Sequence, residues 1–141
     1  MRNRTKSREY ALQMLYQVDI RHISPEQVER QFWEGQPESP QEVRTFTNRL
    51  VSGTAAHLPE IDALITRYAD NWNLKRMAVI DRNILRLGVF ELLHQQEAPP
   101  KVCINEAIEL AKRFGDEDSG KFINGILDAI HKAHAKPASN S

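Results

Sequence analysis

The sequence predicts an all-α protein, and two observations support this fold class. Every long segment repeats its apolar residues at helical spacing, and no segment alternates apolar and polar residues between turn residues as a half-buried strand does. Of the 141 residues, 40% are hydrophobic and 27% are charged, which is typical of a globular protein that buries its own core. We therefore expect about seven packed helices and no sheet.

Apolar stripes and capping residues place these helices along the chain. Ser24 is a favourable N-cap for the second helix, which Pro25 opens, and Pro59 opens the fourth in the same way. The stretch from Gly35 to Pro40 ends the second helix but is not a convincing domain boundary. The seven helices are expected at about residues 6–21, 25–34, 41–57, 59–72, 74–93, 102–114 and 118–134.

The fifth segment differs from the others because apolar residues cover most of its circumference. Such a helix is buried between its neighbours, so it is expected at the centre of the fold. Pro99 and Pro100 end this segment and precede the sixth helix, on which Glu109 and Arg113 are spaced for a solvent-facing ion pair.

The stretch from Gly115 to Lys121 has nearly the spacing of a phosphate-binding P-loop, but its context favours a junction between two helices. A helix precedes it instead of a strand, and Phe122 stands where a magnesium-binding hydroxyl belongs. Gly115 suits a helix end, and residues 116–119 include two aspartates and a serine that can cap the next helix.

Composition excludes several classes of function. Nineteen basic and nineteen acidic residues leave no net charge, so a polyanion must be bound by a local patch. The single Cys103 cannot form an internal disulfide, and neither a signal peptide nor a membrane-spanning run is evident, which predicts a cytoplasmic protein. His131 and His134 lack further ligands spaced for a metal site, and no enzyme signature is found. We expect no catalysis, cofactor or metal.

Local features favour binding instead. Four basic residues and no acid occur within the first eight residues, and Lys75, Arg82 and Arg86 share one face of the fifth segment. This face is either a solvated surface or a track for phosphates. Phe122 either stacks on an unpaired base or packs in the core. Tyr16 lies on a polar helix face, where it either contacts another protein or is covered by the chain itself.

Three segments resemble the NusB family of bacterial transcription antitermination factors. They are "SREYALQMLYQVD", "RMAVIDRNILRLGVFELL" and "PKVCINEAIELAKRFGDEDSGKFINGILD", which together amount to some 60 residues in the expected order. The resemblance implies one domain over residues 1–141, with helical bundles at about 6–72 and 75–134 and flexible ends at 1–5 and 135–141.

The resemblance also implies partners and contact residues. Members bind boxA single-stranded RNA in nascent ribosomal RNA transcripts with NusE, a small-subunit ribosomal protein, within the transcription elongation complex. The positions that match the family's partner-binding face for NusE are Tyr16 and Asp81. The positions that match its RNA site are Arg4, Lys6, Arg8, Lys75, Arg76, Arg86, Phe114, Asp118, Lys121 and Phe122.

One departure and three alternatives remain at this point. Thr5 occupies a place in the basic arm where the family often has arginine, which implies weaker RNA binding by this chain alone. The alternatives to an antitermination factor are a helical protein adaptor that binds no RNA and an isolated RNA-binding domain related to those of ribosomal RNA cytosine methyltransferases. A homodimer that masks the basic arm is also open.

Overall fold

A computed structural model shows seven α-helices with a short 3₁₀ turn and a π-helical turn. It describes residues 2–70, 72–95 and 97–134, and within these ranges no strand occurs, which confirms the all-α class. The helices are α1 (Arg2–Arg21), α2 (Pro25–Glu34), α3 (Gln41–Ala56), α4 (Leu58–Tyr68), α5 (Val79–Phe90), α6 (Pro100–Phe114) and α7 (Ser119–His134).

None of the helices in those ranges is both long enough and apolar enough to cross a lipid bilayer.

Helix α5 is the central element, as its apolar circumference predicts. It packs against α1, α3, α4, α6 and α7, and eight of its side chains or backbone positions are buried. Buried apolar side chains from all seven helices form one continuous core around it. Burial of this apolar surface is the main favourable contribution to folding.

Several predicted helix boundaries are confirmed by the capping contacts. The Ser24 Oγ accepts a hydrogen bond from the Gln27 N–H, and Pro25 occupies the first position of α2. Gly115 ends α6, where its N–H donates to the Ala111 carbonyl. A Cβ at residue 115 would lie 2.6 Å from the Ser119 Oγ, so only glycine fits this close approach.

The start of α1 differs from the prediction. The helix begins at Arg2 and not at Lys6, so residues 2–5 form its first turn. The other end expected to be flexible, 135–141, lies outside the described residues. Because the first turn is helical, the directions of the Arg4 and Lys6 side chains are set by α1.

The single helix expected at 74–93 is wrong, because the segment is divided into three parts. Residues Leu74–Arg76 form a 3₁₀ turn, Met77 is extended with φ −69° and ψ 149°, and α5 then gives way to a π-helical turn at Glu91–Gln95. Met77 is buried in the core, which favours the extended backbone over a continued helix. Lys75 therefore does not lie on the same helix as Arg82 and Arg86.

Trp72 also departs from the prediction that placed it on the apolar stripe of α4. The helix ends at Tyr68, and Asp70 has a positive φ of 54°, which redirects the chain. Trp72 is consequently 56% exposed. An exposed tryptophan is uncommon, and it lies beside the start of α7.

Candidate nucleic-acid interface

Arg8 is buried and fully engaged within the protein. Its Nε and Nη2 donate to the two carboxylate oxygens of Glu91 at 2.7 and 2.8 Å, and its Nη1 donates to Glu106 at 2.9 Å. Thr5 donates to the same Glu106 oxygen at 2.7 Å. These contacts join α1 to the π-helical turn and to α6. Thr5 and Arg8, which lie in the segment that matches the family's basic arm, are thus part of an internal network.

The electrostatics of Arg8 agree with this structural role. Burial disfavours its charge, but the hydrogen bond and charge of Glu91 and the charge of Glu106 outweigh that penalty and raise the pKa of Arg8 above its ordinary value. The side chains of Arg8 and Glu91 are each 5% exposed. The donors of Arg8 face two carboxylates inside the protein, and its contact with a phosphate stays a prediction.

Two of the three cations expected to form a basic stripe on the fifth segment, Arg82 and Arg86, are likewise paired inside the protein. Arg82 forms a two-point pair with Asp19 at 2.7 and 2.9 Å. Arg86 donates to both oxygens of Asp62 at 2.8 and 3.0 Å and to Asp19 at 3.0 Å. The side chain of Arg86 is 12% exposed, and its contact with RNA stays a prediction, as it does for Arg8.

Asp19 is the centre of this second network. It also accepts a hydrogen bond from the Asn83 amide at 2.9 Å. Burial alone would raise the pKa of Asp19, but the hydrogen bonds from Arg82 and Asn83 and the charges of Arg86 and Arg82 lower it below its ordinary value. The carboxylate thus stays ionised and holds α1 against α5.

Four grooves follow one another from the start of α1 to the 3₁₀ turn, and each shares at least one lining residue with the next. We call them together the groove surface. The first groove contains Thr5 and Lys112, the second contains Lys112 and Lys121, and the third and fourth share Trp72 and Phe122. Their volumes are about 400, 490, 450 and 320 Å³. Shared lining residues thus link the amino-terminal end of α1, through α6, to the start of α7.

Aromatic and basic side chains meet at the far end of the groove surface. Phe122 contacts Trp72 edge to face, with ring centroids 5.8 Å apart, and it also packs partly against the core. Arg76 and Asp118 line the fourth groove beside these two rings. The packing interpretation of Phe122 is thus met in part, and its stacking on an unpaired base stays a prediction.

The loop before α7 leaves the Asp118 carboxylate outside the helix cap. Asp116 and Ser119 bond to each other, since the Asp116 N–H donates to the Ser119 Oγ and that hydroxyl donates to the Asp116 carboxylate. Asp118 is exposed, and its carbonyl accepts the first hydrogen bond of α7, from Phe122. The cap therefore uses Asp116 and Ser119, which leaves the Asp118 carboxylate on the groove surface.

The near end of the groove surface is bounded by ion pairs. Arg4 pairs with Glu97 at 3.3 Å and covers the Phe46 ring at 3.8 Å, so its side chain is directed toward α3. Lys6 is half exposed and lies 3.7 Å from Glu9. Glu9 pairs more closely with Arg113, at 2.6 Å.

The pairing expected on α6 is wrong in one respect, because Glu109 pairs with Lys112 and not with Arg113. Arg113 instead links α6 to α1, and it covers the ring of the half-buried Phe114 at 5.5 Å. The sequence analysis missed Lys112 and Trp72 as neighbours of the predicted residues. The sequence signals these two residues only by their positions. Lys112 lies next to the end of α6, and Trp72 follows the end of α4.

The remaining predicted cations have no acidic partner within the described ranges. This group consists of Lys75, Arg76 and Lys121, all of which are exposed. Lys75 lies in the 3₁₀ turn, where its N–H is capped by the Asn73 side chain. These three side chains are available to a polyanion without breaking an internal contact.

The two residues expected to contact NusE lie in different surroundings. Tyr16 is partly exposed on α1, one turn from Ile20, which is 46% exposed. Asp81 is 9% exposed, lines the fourth groove with Arg76, and has no hydrogen-bond partner for its Oδ1 among the described residues. Burial raises the pKa of Asp81, and the nearby charge of Asp116 adds to that effect despite an opposing contact with Ser119.

Comparisons with known proteins agree with this architecture. The model of the NusB family matches residues 5–132. A transcription antitermination protein NusB of Myxococcus xanthus is 46% identical over 138 residues, which cover 95% of this chain and 98% of that protein. The NusB structure from T. maritima has a TM-score of 0.87 and 40% identity, and it covers 94% of this chain and 93% of the other.

A further solved structure contains a similar chain in an assembly. It is a crystal structure of antitermination factors NusB and NusE in complex with double-stranded RNA, and the matched chain has a TM-score of 0.87 and 32% identity. The match covers 95% of this chain and 99% of that chain. By its sequence, its helical fold and the extent of these matches, the chain belongs to the NusB family.

Proposed function

We propose that this protein is a transcription antitermination factor that binds boxA-type single-stranded RNA in nascent ribosomal RNA transcripts together with NusE. The observation that supports this most directly is the groove surface, whose successive grooves share lining residues from the start of α1 to the start of α7. The similar chain found with NusE and RNA supports both partners. Such a factor would act in the cytoplasm within the elongation complex and needs no catalytic group.

The phosphate contacts in this proposal come from the exposed cations of the groove surface and its edges. Lys121 lies between the second and third grooves, and Arg76 lines the fourth. Lys6, Lys75 and Lys112 are exposed nearby on three different elements. With four to six phosphates contacted, counterion release from a single strand gives a log–log salt slope of about −3 to −4.

Base recognition would occur around Phe122. An unstacked base can lie against the Phe122 and Trp72 rings, and base–aromatic stacking of this kind is worth about 1–3 kcal/mol per base. The exposed Asp118 carboxylate can accept a hydrogen bond from a base amino group, which disfavours bases that lack one. Arg8 and Arg86 contribute to binding only indirectly, by fixing α1 and α5.

The NusE contact is proposed at Tyr16 and Ile20, which place an aromatic and an aliphatic side chain on the partly exposed face of α1. Aromatic residues are enriched in protein interfaces. Asp81 is proposed as a second contact, because its Oδ1 can accept a hydrogen bond that the described residues do not supply.

The test is a titration of labelled boxA RNA by fluorescence anisotropy at two salt concentrations, with and without NusE. The RNA arms are the single strand, its scrambled sequence and its duplex with a complementary strand. Preference for the boxA single strand supports the proposal, and stronger binding of the duplex would contradict the single-strand assignment. Equal binding of boxA and scrambled RNA in every arm would favour the protein adaptor.

The NusE contact has a separate test in Tyr16→Asp. This variant should reduce NusE affinity more than RNA affinity, since Tyr16 lies away from the groove surface in the contacts described. The reverse ranking would contradict the assignment. Gln13→Asp, an exposed position on the same helix, is the matched control for added charge.

A further inference from the structure

Two histidines and a glutamate converge on the side of the molecule where α3, α4 and the π-helical turn meet. One ligand atom from each of His57, Glu60 and His94 lies within 4.8 Å of the others. The His94 Nε2 is 2.8 Å from the Glu60 Oε1, and the His57 Nδ1 is 3.6 Å from the same oxygen. These three residues lie on separate elements and do not line the groove surface. We call them the three-ligand set.

The local backbone builds this arrangement. His57 is the junction residue between α3 and α4, and Glu60 lies in the first turn of α4. His94 is in the π-helical turn, where one wider turn changes the direction of the following side chains relative to a regular α-helix. The turn therefore directs His94 toward Glu60, 34 residues away in sequence.

Packing beneath the cluster holds it in place. Phe90 stacks against both imidazoles, with ring centroids 6.1 Å from His57 and 5.9 Å from His94. A Cβ at residue 53 would overlap the Phe90 ring, so Gly53 permits this ring to occupy its position. The aromatic floor is thus fixed by the core, while the outer atoms of the cluster reach solvent.

We propose that His57, Glu60 and His94 bind a divalent transition-metal ion, with Zn²⁺ as the best fit. Two imidazole nitrogens and one carboxylate oxygen are the ligand types of open zinc sites, in which water or another molecule completes the coordination. Imidazole nitrogens disfavour Mg²⁺ and Ca²⁺, which prefer oxygen ligands. The expected ligand distances are about 2.0–2.2 Å.

Binding requires a small rearrangement of the imidazoles. The rings of His57 and His94 are stacked with centroids 3.9 Å apart and planes 11° from parallel. An ion lies in the plane of each ring that binds it, so one imidazole must tilt out of the stack. The side chains of His57 and His94 are 42% and 27% exposed, which leaves room for this motion.

The consequence of binding is a link between α4 and the end of α5. Because the ion would bind the folded chain and not the separated ligands of the unfolded chain, saturation stabilises the fold. At about 100 times the dissociation constant, the expected rise in melting temperature is about 5–10 °C. The open coordination position faces solvent, where a side chain of a partner could occupy it.

The experiment uses the untagged full-length chain, stripped with a chelator and titrated with ZnCl₂ by calorimetry. His94→Gln and Glu60→Gln should each weaken Zn²⁺ binding by about tenfold or more, since one of three protein ligands is lost. His22→Asn, which removes an exposed histidine outside the cluster, should leave binding unchanged. Co²⁺ in place of Zn²⁺ should give visible absorption bands that His94→Gln removes.

Each outcome decides the proposal. Zn²⁺ binding that is equal in the wild type, His94→Gln and Glu60→Gln would overturn it, because the ion would then bind elsewhere. Competition by millimolar Mg²⁺ would also overturn it. Circular dichroism of each variant ensures that weaker binding reflects a lost ligand and not a lost fold, and Glu60→Gln preserves the size of the exposed side chain it replaces.

Discussion

The buried arginines and the exposed cations of this molecule have opposite roles, although both occur in segments that resemble an RNA-binding family. Arg8, Arg82 and Arg86 each donate to at least one carboxylate on another element. Arg76 and Lys121 form no ion pair with acids in the described ranges and line the grooves. The arginines therefore position the helices, and the exposed cations are left to contact a partner.

The difference shows why residue type alone does not identify a phosphate contact. A guanidinium binds carboxylates and phosphates with the same two-point geometry. Which of them it binds depends on whether an acid lies within reach in the folded chain. For Arg8 that acid is Glu91, 83 residues away in sequence, so the pairing could be recognised only in the structure.

Among substitutions that test the difference between buried arginines and exposed cations, the largest effect is expected at Arg8. Arg8→Ala leaves Glu91 buried without its partner, which should lower the free energy of unfolding by about 3–5 kcal/mol. Urea unfolding followed by circular dichroism measures this loss. Lys6→Ala, on the same helix but half exposed, should change stability by less than about 0.5 kcal/mol. A stable Arg8→Ala variant with weakened RNA binding would reverse the assignment.

The second network should be sensitive to both substitution and acid. Asp19→Asn removes the charge shared by Arg82 and Arg86 and should destabilise the fold by about 2–3 kcal/mol at neutral pH. Because the folded-state pKa of Asp19 is lowered, its contribution is present above the ordinary carboxyl pKa and is lost as pH falls through the lowered value.

The pH dependence supplies the check on this prediction. The destabilisation caused by Asp19→Asn should shrink when unfolding is measured at progressively lower pH, below the ordinary aspartate pKa. Asp128→Asn is the control, since Asp128 forms only an exposed pair with Lys132. A constant difference between wild type and Asp19→Asn across that range would show that the charge of Asp19 is not responsible.

Exposed cations should show the opposite behaviour. Lys121→Ala should weaken boxA RNA binding by about fivefold, near 1 kcal/mol, and reduce the magnitude of the salt slope by about 0.7, while leaving urea unfolding unchanged. Lys132→Ala, on the same helix but about three turns further along at its other end, is the matched control. Equal RNA binding by Lys121→Ala and wild type at low salt would remove Lys121 from the proposed surface.

The sequence predicts helices well where local signals agree with packing. Ser24 with Pro25 and the Gly115 stop are short-range features, and their predicted positions are confirmed. The division of the segment 74–93 could not be predicted from periodicity, since an apolar run continues through it. The extended Met77 and Glu91, the first residue of the π-helical turn, are both buried, and periodicity does not report such tertiary surroundings.

The candidate sites likewise differ in how far the sequence alone predicts them. The loop with Asp118, Lys121 and Phe122 lies in one short segment, so its grouping is visible in the sequence. The three-ligand set is not, because His57 and His94 are separated by 37 positions and no motif joins them. The sequence likewise does not predict that Asp81 is buried. Helical spacing gives the direction of the Asp81 side chain on α5 but not the depth of the neighbouring groove.

The smallest effect is expected at Asp81. Substitution of this residue should change stability and NusE binding in opposite directions. Its buried carboxylate has a raised pKa, so the ionised form is disfavoured in the fold and protonation below that pKa stabilises the protein. Asp81→Asn should therefore raise the free energy of unfolding at pH 7 by up to about 1 kcal/mol. The gain should diminish as pH falls and the wild-type carboxyl becomes neutral.

The same variant should weaken NusE binding if Asp81 supplies an acceptor to the partner, because the amide lacks the charge that strengthens such a hydrogen bond. Titration of NusE and urea unfolding at pH 7, run on the same preparations, measure both effects. Asp118→Asn, an exposed acid on the neighbouring loop, should not change stability. A destabilised Asp81→Asn variant would show that the Asp81 charge is compensated inside the protein, as the charge of Arg8 is, and would place it among the residues that position helices.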